Sequence, residues 1–474
     1  MDMEWTRRRF LGTGASALGV LGLSACGGSG SSTPRVQVEV PPDVVSAAGP
    51  YKGSSLGMLS QKLYSDRANA ALDRSLQAFA KATGTTVENS LVSSDTGDLV
   101  AKTDAAVKAG NPRDIAFFND NRFVAQFHNL GDLVDVTDVV TELSARYGEP
   151  AAESRNFCSF GGRWFAIPYQ FVGSGAFARK DWLQEKGIAL KESYTWAEMR
   201  DICLEISDPS KRRFGWGLTV NRSGDGNGFL EYLIYGYGGS ITANDGRKVT
   251  FNSPETIDAV EFVRDLYTNP KYKPMLPPGI ESWTDSSNNE NWLAGILGFT
   301  RNQYSLYADS KATKNPVYAN THPFIDCTGP ASRRPLAWCQ SQAFVIFKGA
   351  KNPELAKVMA QYLVSGTPLL GVSKDATGLA MPAWEKVWAS DEFYLRGDPA
   401  FPMLHKLATQ PLPITTTTGN AFPQAPSPGE QATLQAYVLT DMMQEVLRGT
   451  PGKDAVATAH QRIVRIFEQQ GIAQ

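Results

Sequence analysis

The chain has 474 residues, enough at about 150 residues per domain for two or three compact units. Its 46 Lys and Arg against 48 Asp and Glu leave a net charge of −2. With no basic block to neutralise phosphates, this balance argues against a nucleic-acid partner. Aromatic residues reach 10% and include 10 Trp, flat apolar faces that suit a core or stacking on sugar rings.

The first residues read as an address. Thr6-Arg7-Arg8-Arg9-Phe10-Leu11 fits the twin-arginine export consensus, and the apolar run from Leu11 to Leu23 is too short and too rich in small residues to span a membrane. Leu23-Ser24-Ala25-Cys26 resembles the lipobox of bacterial lipoproteins, in which the Cys becomes the lipidated first residue of the mature chain. The resemblance implies a signal peptide over 1–26, lipidation at Cys26 and an extracytoplasmic protein held to the membrane by its lipid. Residues 27–50, rich in Gly, Ser, Pro and Val, read as a flexible tether. Four Cys remain: Cys158, Cys203, Cys327 and Cys339. None has zinc spacing, and an even number in an oxidising compartment favours disulfides. Cys327 with Cys339 is the favoured bridge, while Cys158 and Cys203 are either a second bridge or two buried thiols.

Folding elements start after residue 50. Gly53-Ser54-Ser55-Leu56-Gly57 matches a serine-hydrolase elbow as a string, but no apolar strand precedes it. Ala68 to Thr83 sets Ala71, Leu72, Leu76, Phe79 and Ala80 on one helical face, with Gly84 as C-cap. A β-branched run from Thr85 to Val92, a helix from Asp98 to Lys108 and a strand from Asp114 to Phe118 follow. This alternation predicts a doubly wound α/β lobe with a mostly parallel sheet, whose ligands sit beyond the carboxyl ends of the strands. That rule selects the segment from Phe118 to Phe123.

From Gly161 to Leu183, GGRWFAIPYQFVGSGAFARKDWL reads as a strand stopped at Pro168, a polar bend punctuated by glycine, and a second strand from Ala176. A chain crossing between two bodies takes this form, and Tyr169, Gln170, Phe171 and Ser174 would then face a ligand in the cleft. The string resembles the hinge of extracytoplasmic sugar-binding proteins of ABC importers, the maltose-binding type, with Phe177-Ala178-Arg179 departing from that family's Tyr-x-Lys.

The resemblance continues along the chain. Phe118 to Phe123 is similar to the family's D-I-x-F-W-x-x-D-R-F, which makes Phe118, Asn121 and Arg122 ligand-binding candidates. Phe stands there for Trp and Asn for the acid. Thr195-Trp196-Ala197-Glu198 has the form of a capping box and resembles the family's T-W-x-E helix start. The loop from Asn221 to Gly228 offers Asp225 and Asn227. Thr250-Phe251-Asn252-Ser253-Pro254-Glu255 resembles the x-F-N-S-P-E signature, with Ser253 a good N-cap and Pro254 at the first helical position. Asn302, Gln303 and Tyr304 stand in a loop that reaches the ligand in the family, and Trp338 and Gln340 stand where it has a turn with Trp. Lys351 to Lys357 matches K-N-P-E-x-A, and Thr433 to Arg448 and Lys453 to Gln469 form the closing helix pair.

The resemblance implies a periplasmic-binding-protein-like fold of two doubly wound α/β lobes, 51–168 plus 343–381 and 169–342 plus 382–474, joined by crossing hinge segments. It implies capture of a sugar or oligosaccharide and delivery to the transmembrane subunits of an ABC permease, by a monomer, with no cofactor, metal or catalytic residue. A secreted glycosidase would need two carboxylates flanking a bond, and none of the acids stands in a recognisable catalytic motif. A phosphorylated polyol would lean on Arg122 and Arg179, and the chain has no Gly-rich anion nest.

Overall fold

Ser65 accepts a hydrogen bond from the Ala68 amide and starts the helix Asp66–Thr83, which Gly84 ends in the left-handed conformation at φ 68°. Thr195 and Glu198 cap the helix Trp196–Glu205 reciprocally, each side chain taking the other's backbone amide, as the capping-box string predicts. Ser253 caps the helix Pro254–Thr268 in the same way as Ser65. The computed structural model describes residues 38–474 except 64, 93–98, 120–121, 244, 332–338, 377–379, 397 and 410–426. The export leader, Cys26, Asn121, Trp338 and most of the Pro/Thr-rich loop therefore lie outside the described residues. The tether expected through residue 50 is already ordered at its end. There a helix, Pro42–Ala48, buries Ala48 and brings Asp43 to 3.3 Å from Arg146.

Nine strands form one mixed sheet. They are β1 (Ser55–Gln61), β2 (Thr86–Val92), β3 (Ile115–Phe118), β4 (Ile167–Arg179), β5 (Phe214–Trp216), β6 (Leu297–Gln303), β7 (Thr321–Phe324), β8 (Cys339–Ile346) and β9 (Ala380–Pro382). Their order is β2-β1-β3-β8-β4-β6-β5, with β7 and β9 also paired to β4. The wings are parallel, β1 with both β2 and β3, and β5 with β6. Everything that pairs with β4 is antiparallel. The mostly parallel expectation therefore describes the wings and not the centre.

The centre differs from the expected strand, bend and strand. β4 runs unbroken for 13 buried residues. Its first half pairs with β8 and β9, and its second half with β6 and β7. Pro168 has no N–H to give, and the ladder with β8 shifts register there, Gln342 facing Gln170 while Ala343 faces Pro168. The Pro168 carbonyl is taken instead by the Trp384 indole N–H at 2.8 Å. The glycines that read as a bend serve close packing: a Cβ on Gly173 would lie 3.0 Å from Leu404 and Leu407, and one on Gly175 would lie 3.0 Å from Tyr304.

Two hydrophobic cores flank this crossing. One gathers Leu56, Phe79, Phe117, Ile167, Phe344, Leu363 and Trp384. The other gathers Phe177, Trp196, Trp216, Phe299, Leu404, Val438 and Phe467. All four remaining cysteines are buried thiols, so the favoured Cys327–Cys339 bridge is absent. Cys158 and Cys203 cannot pair either, since each is buried in a different core.

Candidate functional site

Side chains alternate along a strand, so Gln170, Val172 and Ser174 share one face of β4 while Phe171, Gly173 and Gly175 share the other. Leu404, Leu407 and Tyr304 cover the glycine face. The opposite face is polar. Gln342 stands across from Gln170 on β8, and Gln303 across from Ser174 on β6. Gln170 Nε2 donates to Ser373 Oγ at 2.7 Å, but Gln170 Oε1, Ser174 Oγ and Gln342 Oε1 are buried without a hydrogen-bond partner. Leaving such an atom dry and unpaired costs about 1–3 kcal/mol, so three on one face mark a place where something else supplies the bonds.

The flanking walls come from the carboxyl ends of the parallel strands. At the end of β1, Gln61 Oε1 accepts the Asn119 amide at 3.0 Å, and its Nε2 has no partner. Asn119 follows β3 and ties its side chain to the Lys62 carbonyl at 2.7 Å. On the other side, the chain leaving β5 reaches Ser223, which caps the helix Gly224–Tyr237 by accepting from the Gly226 amide. In its first turn the Asp225 amide donates to Asp285 Oδ1 at 2.9 Å. Burial, then the Asp285 carboxylate, push the Asp225 carboxyl up to about 7, and its Oδ2 has no partner. Asn227 gives its Nδ2 to the Leu434 carbonyl at 2.8 Å and keeps an unpaired Oδ1. At the end of β6, Arg301 is spent on Asp326, Nη2 to Oδ2 at 2.6 Å, and lies 3.7 Å over the Tyr232 ring.

The sequence profile of the bacterial extracellular solute-binding proteins matches residues 65–365. The chain belongs to that family. Its fold is shared with solved solute-binding proteins, each at a TM-score of 0.69. One is from Thermotoga lettingae TMO, bound to α-D-tagatose, 18% identical over 88% of this chain and 100% of that one. Another is maltose-bound MalE3 of T. maritima, 18% identical over 87% and 99%. A third is from Agrobacterium radiobacter K84, in complex with ribitol, 19% identical over 88% and 99%. No curated protein sequence matches the chain.

This solute-binding protein brings together some of the residues its sequence singles out. Gln170 and Ser174 lie on the polar face, and Asp225, Asn227 and Asn302 lie beside it at the ends of β5 and β6. Asn302 Nδ2 donates to Asn289 Oδ1. The aromatic candidates among the described residues sit elsewhere. Phe118 is fully buried between Phe123 and Phe127, Tyr169 packs on Phe117 and Phe344, and Tyr304 packs on Phe177. None of the three offers a free ring. Arg122 opens the helix Arg122–Leu130, and Gln340 lies in β8 opposite Val172. Arg179 is occupied by Asp181 at 2.6 Å and by the Gly295 carbonyl at 2.9 Å, which leaves it no hand for a phosphate.

Gln61, Gln342 and Asp285 are not among the sequence candidates, and Asn119 lies inside the selected segment from Phe118 to Phe123 without being singled out in it. The strand-end rule that selects Phe118 reaches Gln61 equally well, but Gln342 and Asp285 carry no signal outside their pairing. Tyr437 is a further omission. It takes φ 54° between the helices Pro428–Gln435 and Val438–Leu447, where a single helix is expected, with the Arg222 guanidinium 5.1 Å over its ring. A bulky residue held in the left-handed region is strained, and such strain concentrates at ligand clamps.

Proposed function

We propose that this solute-binding protein captures a sugar, oligosaccharide or polyol between two lobes, 51–168 plus 343–381 and 169–342 plus 382–474, and delivers it unaltered to an ABC permease. Export by the twin-arginine leader and lipidation of Cys26 complete the reading. The observation that carries it is the polar face of the crossing strands, where Gln170, Ser174 and Gln342 hold unpaired oxygens. A hydroxyl-rich solute supplies donors to all of them, and closure of the lobes would exclude water from the bonds so formed. The tagatose, maltose and ribitol held by proteins of this fold support the same class.

The test is a panel of mono- and oligosaccharides and polyols against the mature protein, followed by thermal denaturation and by chromatography of the solute. A binder present at 100 times its dissociation constant adds about 2.7 kcal/mol to stability and comes back chemically unchanged. Turnover of any member would replace capture with catalysis. A melting temperature indifferent to the whole panel would remove the carbohydrate reading. Retention of a Cys26→Ala variant in the membrane fraction would remove the lipid anchor.

A further inference from the structure

We propose that the wall of the cleft built from the ends of β5 and β6 selects a polyhydroxy solute bearing a protonated nitrogen, with Asp225 and Asp285 as its counter-ions. The inference rests on the sugar or polyol reading and narrows it.

Asp225 and Asp285 are held together, since the backbone amide of one donates to the carboxylate of the other at 2.9 Å. Two acids brought this close repel, and a protein commonly relieves that with a cation. Here the cation whose charge reaches Asp225 is Arg301, and it is already paired. Arg301 is bound through both Nε and Nη2 to Asp326, and its remaining face lies on Tyr232. Among the described residues no Lys, Arg or His stands within ion-pair distance of either Asp225 or Asp285. Asn288, nine-tenths buried beside them, turns its Nδ2 to the Arg301 carbonyl at 3.2 Å.

A second observation points the same way. Asn227, more than nine-tenths buried in the same first turn, has its Nδ2 fixed on Leu434, so the unpaired atom it keeps is an oxygen. Asp225 Oδ2 and Ser174 Oγ are likewise buried and unpaired. The wall thus shows unpaired oxygens and an excess of acid, since Arg301, whose charge reaches Asp225, is itself paired with Asp326. A neutral hydroxyl would satisfy a lone pair and leave the charge. An ammonium group gives up to three N–H donors and cancels it. Phosphorylated or uronic solutes would add charge of the wrong sign.

The test uses matched solutes that differ in one group: glucose and glucosamine, galactose and galactosamine, glucitol and glucamine, with N-acetylglucosamine as the uncharged control. Calorimetric titration of the mature protein at pH 7.5 should show the amine at least tenfold tighter than its hydroxyl partner in at least one pair. Asp225→Asn should lower the ratio of amine to hydroxyl affinity at least tenfold, whatever it does to the neutral partner. The groups that set the titration of Asp225 are Asp285, Arg301 and Asn288. With the Asp225 carboxyl ionising near 7, affinity for glucamine, whose amine stays protonated throughout, should climb from pH 6 to pH 8 in the native protein and stay flat in the variant. Neutral members binding as tightly as amines in every pair, or a preference that survives Asp225→Asn, overturns the inference while sugar capture stands. If no member binds at all, the carbohydrate reading beneath it falls as well.

Discussion

Glu430 sits in surroundings that fit a negative charge poorly. It is fully buried in the first turn of the helix Pro428–Gln435, where Thr242 Oγ1 donates to one carboxyl oxygen and the other has no partner. Burial is the main cause that pushes it well above the usual carboxylate range; the Thr242 bond pulls down and the nearby Glu231 pushes up. The native state therefore holds a proton that the unfolded chain releases above about pH 4.5. Over that window the native state binds more protons than the unfolded one, so stability is lost as pH rises, by at most about 1.4 kcal/mol per pH unit from this group. Glu430→Gln keeps the shape and removes the titration. Relative to the native protein, the variant should gain more than about 1 kcal/mol of stability between pH 5 and pH 8 in urea unfolding. A difference that stays constant across that range would mean Glu430 is ionised in the fold.

At the scale of elements, the tightest seam is where β5 meets the helix Trp196–Glu205. A Cβ on Gly215 would fall 1.9 Å from the Cys203 carbonyl oxygen, and one on Gly298 would fall 3.0 Å from the Gly215 Cα. At Gly215 every near atom is Cys203 backbone, with no flexible side chain to turn away, while at Gly298 the Ile206 Cδ1 lies nearer still, at 2.6 Å. Gly215→Ala should cost about 3 kcal/mol in urea unfolding, at the upper end for an added methyl, because the strand and helix must separate; a cost below about 1 kcal/mol would show that the seam yields. This seam also shows what a sequence conveys. Ser65, Thr195 and Ser253 announce their helices because a cap bonds within its own turn, and local chemistry is written locally. β4 was unreadable as one strand because its partners arrive from residues 339–346 and 380–382, and glycines used for close approach look the same as glycines used for a bend. The acid Asp225 is singled out in the sequence as part of the Gly-rich loop from Asn221 to Gly228, by likeness to the family's loop. Phe118, Tyr169 and Tyr304 stand as ligand-binding candidates in the sequence because nothing in a string separates an aromatic that meets a ligand from one that fills a core.

At the scale of the whole molecule, neither core is made of continuous chain. Residues of the first core run from Ala48 to Tyr169, return at Ala343 to Ala376, and appear again at Ala383 to Val387. Those of the second fill the intervals, from Phe171 to Cys339 and from Trp388 onward, with Met381 between and Ala151 reaching in from the first stretch. Inside β4 the switch takes two residues, Tyr169 packing on one side and Phe171 on the other. Loosening either core therefore frees one half of β4, and with it the strands β8 and β9 that hydrogen-bond across the divide. The two cores should melt together in spite of a length at which separate domain transitions are common. Calorimetry of the ligand-free protein should give a single peak with calorimetric and van't Hoff enthalpies equal within about 10–15%. A saturating solute, bonded to the polar face of those same strands, should move that peak upward whole. Two resolved peaks, or a solute that shifts only part of the transition, would show that the crossing is a loose tether and that the floor of the cleft belongs to one core alone.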